Sequence, residues 1–165
     1  MPKPRTLVLV EGMKPTEDRL APIFAGAGYR VVTVRTKKSA LTKVQETHPS
    51  IIVVDIPSLR FDGARLCSAL GELCSGVPLL VLLAPGSEAE NGTDGVSYLW
   101  HPFSTLELID RTGALLSSVL QVGDVIFNVD CATVVYSKQK RRLTPKQAQL
   151  LELLMRHPGQ VLTRA

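Results

Sequence analysis

Aromatic residues make up only 5% of this 165-residue chain, tryptophan occurs once and cysteine three times. Cys67, Cys74 and Cys131 are odd in number and lack metal-ligand spacing, which argues against a disulfide framework or a zinc site and for reduced, partly buried thiols. No apolar run approaches the roughly 20 residues of a membrane span, and Met1 to Arg5 is too short and polar to open a signal peptide. The expectation is a cytoplasmic protein with no membrane partner. His48, His101 and His157 each precede proline in unrelated segments, so no histidine metal centre is expected. Ser58, Ser87 and Ser97 sit in no nucleophile motif, and Gly26 and Gly28 of AGAGY end a helical pattern rather than follow a strand. Hydrolase and dinucleotide fingerprints are therefore missing. What is present is apolar material: 45% hydrophobic residues and a mean hydropathy of +0.15 are enough for a packed core.

Charge is unevenly placed. Residues 1–112 carry 12 Lys/Arg and 12 Asp/Glu, whereas residues 113–165 carry 7 and 3. A neutral first part joined to a basic second part suits a sensor coupled to a polyanion binder, because Lys and Arg make most phosphate contacts. Within KQKRR the competing reading is a solvated strand edge.

Apolar, β-branched runs recur at Leu7 to Val10, Val31 to Val34, Ile51 to Val54 and Leu79 to Leu83, with a weaker one at Tyr98 to Trp100. Helical spacing fills the intervals: Thr16 to Ala27, Ser39 to Thr47, Ala64 to Leu73 and Ser104 to Leu120. Pro22 should kink the first of these or shift its start. Near-continuous apolar strands joined by helices predict a doubly wound α/β domain with a five-stranded parallel sheet, its function at the strand carboxyl ends. The organisation expected is one domain over 1–118 and part of a second over 119–165. In the second, Val125 to Val129 and Thr133 to Tyr136 read as short strands.

After them a helix is strongly specified. Thr144 suits the N-cap, Pro145 the first turn and Gln147 the reciprocal capping position. Leu150, Leu151, Leu153 and Leu154 form an apolar stripe, Pro158 and Gly159 stop it, and Thr163 would cap a following helix. This stretch, LTPKQAQLLELLMRHPGQVLTRA, resembles the start of the winged-helix effector domain of OmpR/PhoB-type response regulators. The resemblance implies a chain truncated before the DNA-recognition helix. Lys138, Lys140, Arg141 and Arg142 are then the best candidates for contacts with the DNA backbone.

Asp55 closes the strand IIVVD, and Asp62-Gly63 follows in a turn. With that spacing the first domain resembles the receiver domain of the same regulators, a flavodoxin-like fold. The resemblance makes Asp55 the phosphoacceptor position. The family's acidic pair falls on Glu11 and Gly12, so one carboxylate is missing, and Glu11 with Asp55 would hold Mg²⁺ only weakly. The family's hydroxyl falls on Leu83 and its lysine on His101, where charge depends on pH. Tyr98 matches the switch aromatic, with no hydroxyl at position 83 to follow. The segment between Leu83 and His101 is about four residues short, roughly one helical turn, so PGSEAENGTDG reads as a loop. His101-Pro102 matches a bond that is commonly cis in the family.

The function implied is a two-component response regulator controlling transcription, its receiver gating DNA binding, atypical or independent of phosphorylation and requiring no cofactor. Promoter DNA, a sensor histidine kinase or other regulatory protein, and a second copy of the chain are the expected partners. The competing reading is a pseudo-receiver that docks a protein and binds no DNA. An enzyme using Asp55 and Asp62 as an acid/base pair lacks a second convergent polar group.

Overall fold

The computed structural model describes residues 3–14, 18–74, 76–89 and 95–163. Five parallel strands, β1 (Thr6–Val10), β2 (Arg30–Val34), β3 (Ile51–Asp55), β4 (Leu79–Leu83) and β5 (Val96–Trp100), pair in the order β2-β1-β3-β4-β5. The five strand runs expected between Leu7 and Trp100 all fall in this sheet. β3 and β4 are buried at every residue, as strands covered on both faces must be. One face carries Val8, Val10, Ile52, Val54, Val81 and Leu83 against α2 (Lys37–Thr47) and α3 (Gly63–Leu73). The other carries Leu7, Leu9, Val53, Leu80 and Leu82 against α1 (Ala21–Gly26) and α4 (Thr105–Ser117).

The helices start where side chains can satisfy their free backbone N–H groups. Thr36 with Ser39 and Ser104 with Glu107 form reciprocal capping boxes, and the Asp62 carboxylate accepts from the Arg65 N–H at 3.2 Å. The Ser104 backbone N–H and hydroxyl hold Glu107 below the usual carboxylate range. Pro22 lies in the first turn of α1, so it sets that helix's start and does not kink it. α1 is therefore shorter than the periodicity predicts, and residues 16–17 of the expected helix lie outside the described residues. Between β4 and β5 the described residues form turns, not a helix, while 90–94 of that loop lie outside them. The His101-Pro102 peptide is cis, as expected.

After α4 the chain changes architecture. β6 (Val119–Val122), β7 (Val125–Asn128), β8 (Thr133–Tyr136) and β9 (Gln139–Arg142) make an antiparallel sheet in sequence order, followed by α5 (Pro145–Arg156). Phe127 is fully buried beneath it, and α5 lies against β6. Two of these strands were not foreseen. The helical reading to Leu120 ran past the true end of α4 at Ser117 and absorbed β6. β9, QKRR, is exposed at every residue and has no apolar periodicity to betray it. Its position is set by the β8–β9 turn, where Ser137 (φ 48°) and Lys138 (φ 64°) adopt the left-handed pair that hairpin twist requires. The cap at Thr144 forms as expected, with the Gln147 side chain accepting from the Thr144 N–H at 3.0 Å.

Candidate functional site

The carboxyl ends of β1, β3, β4 and β5 bring together Glu11, Gly12, Asp55, Leu83 and His101, as the resemblance implies. Asp55 is 0% exposed and Glu11 2%. An ionised carboxylate so buried is tolerable only with compensating charge or hydrogen bonds. Asp55 has two partners. His101 Nε2 lies 3.0 Å from Oδ1, so with Asp55 ionised this nitrogen carries the proton and donates. The Lys14 ammonium is ion-paired with Oδ2, an oxygen that accepts no well-aligned hydrogen bond from the described residues.

Lys14 is the residue that sequence reasoning missed. Its Nζ also lies 3.6 Å from Glu11 Oε1, so it sits between both acids of the pocket. The signal was a cation three residues after Glu11, but this loop position has no counterpart in the receiver pattern. Glu11 has a further duty. Its Oε1 accepts from the Leu20 N–H at 3.0 Å, fastening the loop that leads into α1.

Gly12 has a steric reason as well as a missing charge. A Cβ at this position would overlap the backbone carbonyl of Ser58, in the 3-10 turn (Ile56–Ser58) that follows β3. The Ser58 hydroxyl accepts from the Gly12 N–H at 2.8 Å and donates to the Asp55 carbonyl at 2.7 Å. Ser58 belongs to no nucleophile motif, as read from the sequence, yet it closes the turn after β3 onto the end of β1. The second acidic position is thus walled off by backbone.

Leu83 is buried with the apolar face of β4, and Tyr98 packs partly buried against that same cluster. No hydroxyl stands at Leu83 for a phosphoryl oxygen. The His101 ring stacks on Phe103 at a centroid distance of 4.4 Å, and its backbone N–H bonds to the Leu83 carbonyl at 2.8 Å, fixing the imidazole over Asp55. Trp100 Nε1 donates to the Ser87 carbonyl at 2.8 Å and pins the loop after β4.

Other residues considered from the sequence lie elsewhere. Asp62 is the N-cap of α3 and pairs with Arg65 at 3.2 Å, so it forms no dyad with Asp55. Cys74 is pushed up to about 11 by burial, the opposite of an activated thiolate. Lys138, Lys140, Arg141 and Arg142 share one hairpin but not one face. The register sets Lys140 and Arg142 opposite Val135 and Thr133, and Arg141 opposite Val134, with Lys138 in the turn. Among the described residues no group of three or more His, Cys, Asp or Glu could hold a metal ion.

A magnesium ion is what the receiver resemblance implies here, and the residues present do not fit it. Mg²⁺ demands near-octahedral oxygen ligands and keeps several waters. Both acids of this pocket already face the Lys14 ammonium, and a third carboxylate has no room at Gly12.

No protein-family model matches the chain. It is 30% identical over 171 residues to the DNA-binding response regulator MtrA of Mycolicibacterium smegmatis, covering 96% of this chain and 74% of that protein. It is also 30% identical over 152 residues to the phosphate regulon transcriptional regulatory protein PhoB of Rhizobium meliloti, covering 84% and 67%. The receiver domain of a Pseudomonas aeruginosa sensor histidine kinase, solved with magnesium in its active-site cleft, superposes with a TM-score of 0.60 at 21% identity, covering 70% of this chain and 100% of that domain. That likeness speaks for the fold alone. With the parallel sheet, the placement of Asp55 and the matches that run on through the antiparallel sheet, the chain belongs to the OmpR/PhoB-type response regulators, the transcriptional regulators of two-component systems.

Proposed function

We propose that this regulator works without phosphoryl transfer to Asp55, its receiver acting as a regulatory docking unit for the DNA-binding part. The observation that carries the reading is the clamp on Asp55. Its two oxygens face Lys14 and His101, with no hydroxyl at Leu83 and no second acid at Gly12. Phosphoryl transfer depends on a metal to neutralise developing charge and on an open in-line approach to the acceptor oxygen. A fully buried carboxylate ion-paired with Lys14 and hydrogen-bonded to His101 offers neither.

Control would then come from population shift, with a regulatory protein or a second copy of the chain binding one receiver conformation better than the other. The output would be promoter DNA bound through a complete winged-helix domain, in the cytoplasm. Among the described residues no helix is long and apolar enough to cross a membrane. This is a regulator's role, not an enzyme's, and it requires no cofactor.

The test is incubation with acetyl phosphate and Mg²⁺, followed by intact-mass analysis of the parent beside Asp55→Asn. No adduct on either folded protein is the expected result. A phosphoryl adduct on the parent that is missing from the variant would overturn the reading and restore Asp55 as a phosphoacceptor.

A further inference from the structure

We infer that Lys14 is a tethered cation standing where a divalent metal would bridge Glu11 and Asp55, and that it closes this pocket to Mg²⁺. The inference rests on reading the pocket as a receiver site but concerns what fills it.

The geometry has three independent parts. The Lys14 ammonium contacts Asp55 Oδ2 and lies 3.6 Å from Glu11 Oε1, so one positive group serves both buried acids. Glu11 Oε1 also accepts the Leu20 N–H at 3.0 Å, so the oxygen nearest the ammonium is already committed to the loop. The Ser58 carbonyl occupies the place a side chain at residue 12 would take, so no second acid can join Glu11 there. An arriving Mg²⁺ would have to expel the ammonium and shed water reluctantly. The ammonium is held on the chain only three residues from Glu11, so it competes intramolecularly, at an effective concentration on the order of millimolar.

Lys14 itself is mostly sheltered, its side chain 16% exposed, which distinguishes this pair from a solvated surface bridge. The consequence is a pocket whose charge is balanced by the polypeptide alone. Its state should not depend on divalent cations.

The chain's single tryptophan, Trp100, precedes His101 in the chain, and its fluorescence is one readout. MgCl₂ and MnCl₂ are titrated at constant ionic strength into the parent, Lys14→Met, Lys14→Gln and the double variant Lys14→Met with Asp55→Asn. The parent should show no saturable response through the millimolar range. Both single variants should gain one, with half-saturation at least tenfold below any parent response, and the double variant should lose it. Thermal midpoints provide a second readout, because metal that binds only the folded state raises them. Mg²⁺ should raise those of the single variants and leave the parent's unchanged.

Saturable binding to the parent at the variants' concentration would overturn the inference, whatever the variants' stability. So would single variants that bind no more tightly than the parent, since the walled-off Gly12 position, not Lys14, would then exclude the metal. The two readings of the pocket fail separately. A phosphoryl adduct formed without Mg²⁺ would sink the phosphorylation-independent function and leave Lys14 in place of the metal. Mg²⁺ binding by a parent that takes no adduct would do the reverse.

Discussion

The two concentrations of charge in this molecule are built on opposite terms. At the ends of β1 and β3, Glu11 and Asp55 are removed from water and each is matched to named partners. On β9, Gln139 to Arg142 are exposed at every residue, and among the described residues no ion pair ties the basic side chains down. Buried charges are costly to leave unmatched, so their partners are structural commitments. Exposed charges contribute little to stability and stay available to an outside polyanion. A regulator can use both, with a fixed charge network in its receiver and a free one facing solvent.

The sharpest way to break this contrast is to remove a buried partner. Lys14→Met leaves Asp55 with His101 alone and should lower the unfolding free energy by about 3 kcal/mol in urea titration, as expected when one member of a buried pair is deleted. A loss under about 0.5 kcal/mol would mean that Asp55 does not depend on Lys14 and that the pocket resembles the surface after all. Gly12→Ala should come next, at about 2 kcal/mol, because its Cβ must displace the Ser58 carbonyl, which is backbone and cannot swing aside. A neutral outcome there would show that the 3-10 turn yields easily, and with it the wall against a second carboxylate.

In the C-terminal part, stability should follow local backbone satisfaction more than charge. Thr144→Ala removes the hydroxyl that accepts from Gln147 N–H at 3.4 Å and breaks the capping box of α5. The expected loss is about 1 kcal/mol, read by helical circular dichroism during denaturation. An unchanged transition would place the stability of α5 in its packing against β6, with Met155 buried beneath it, and not in its cap.

The same contrast decides what was legible in the sequence. Strands of the parallel sheet announce themselves because burial on both faces requires unbroken apolar runs, as in LLVLL at Leu79–Leu83. The positions of Asp55, Leu83 and His101 at strand ends follow from that register, and the pocket forms where it should. β9 was hidden because an exposed edge strand needs no periodicity, only a neighbour and a turn. Lys14 was hidden for a different reason. It acts from a loop, and nothing in linear spacing says that its four-carbon stem reaches back to Asp55, 41 positions away. The turn holding Ser58 against Gly12 is equally silent, since a glycine's open space is filled by a carbonyl and not by a recognisable side chain.

The smallest expected effect on stability belongs to the hairpin, and it sharpens the comparison most finely. Arg141 stands opposite Val134 on β8, while Lys140 stands opposite Val135, which is buried, and lines a crevice with Cys74 and Asn128. Arg141→Ala and Lys140→Ala should each change unfolding free energy by no more than about 0.5 kcal/mol. Their effects on duplex DNA binding should differ. Measured by fluorescence anisotropy across salt concentrations, loss of a phosphate contact lowers the slope of log affinity against log salt by about one. That loss is expected for Arg141→Ala, whose face of β9 is turned away from the crevice, and not for Lys140→Ala. Equal slopes for the two variants would show that the face of β9 is irrelevant and that only the total positive charge of the hairpin attracts the polyanion. A slope change confined to Lys140→Ala would place the DNA on the crevice side and reverse the assignment of faces.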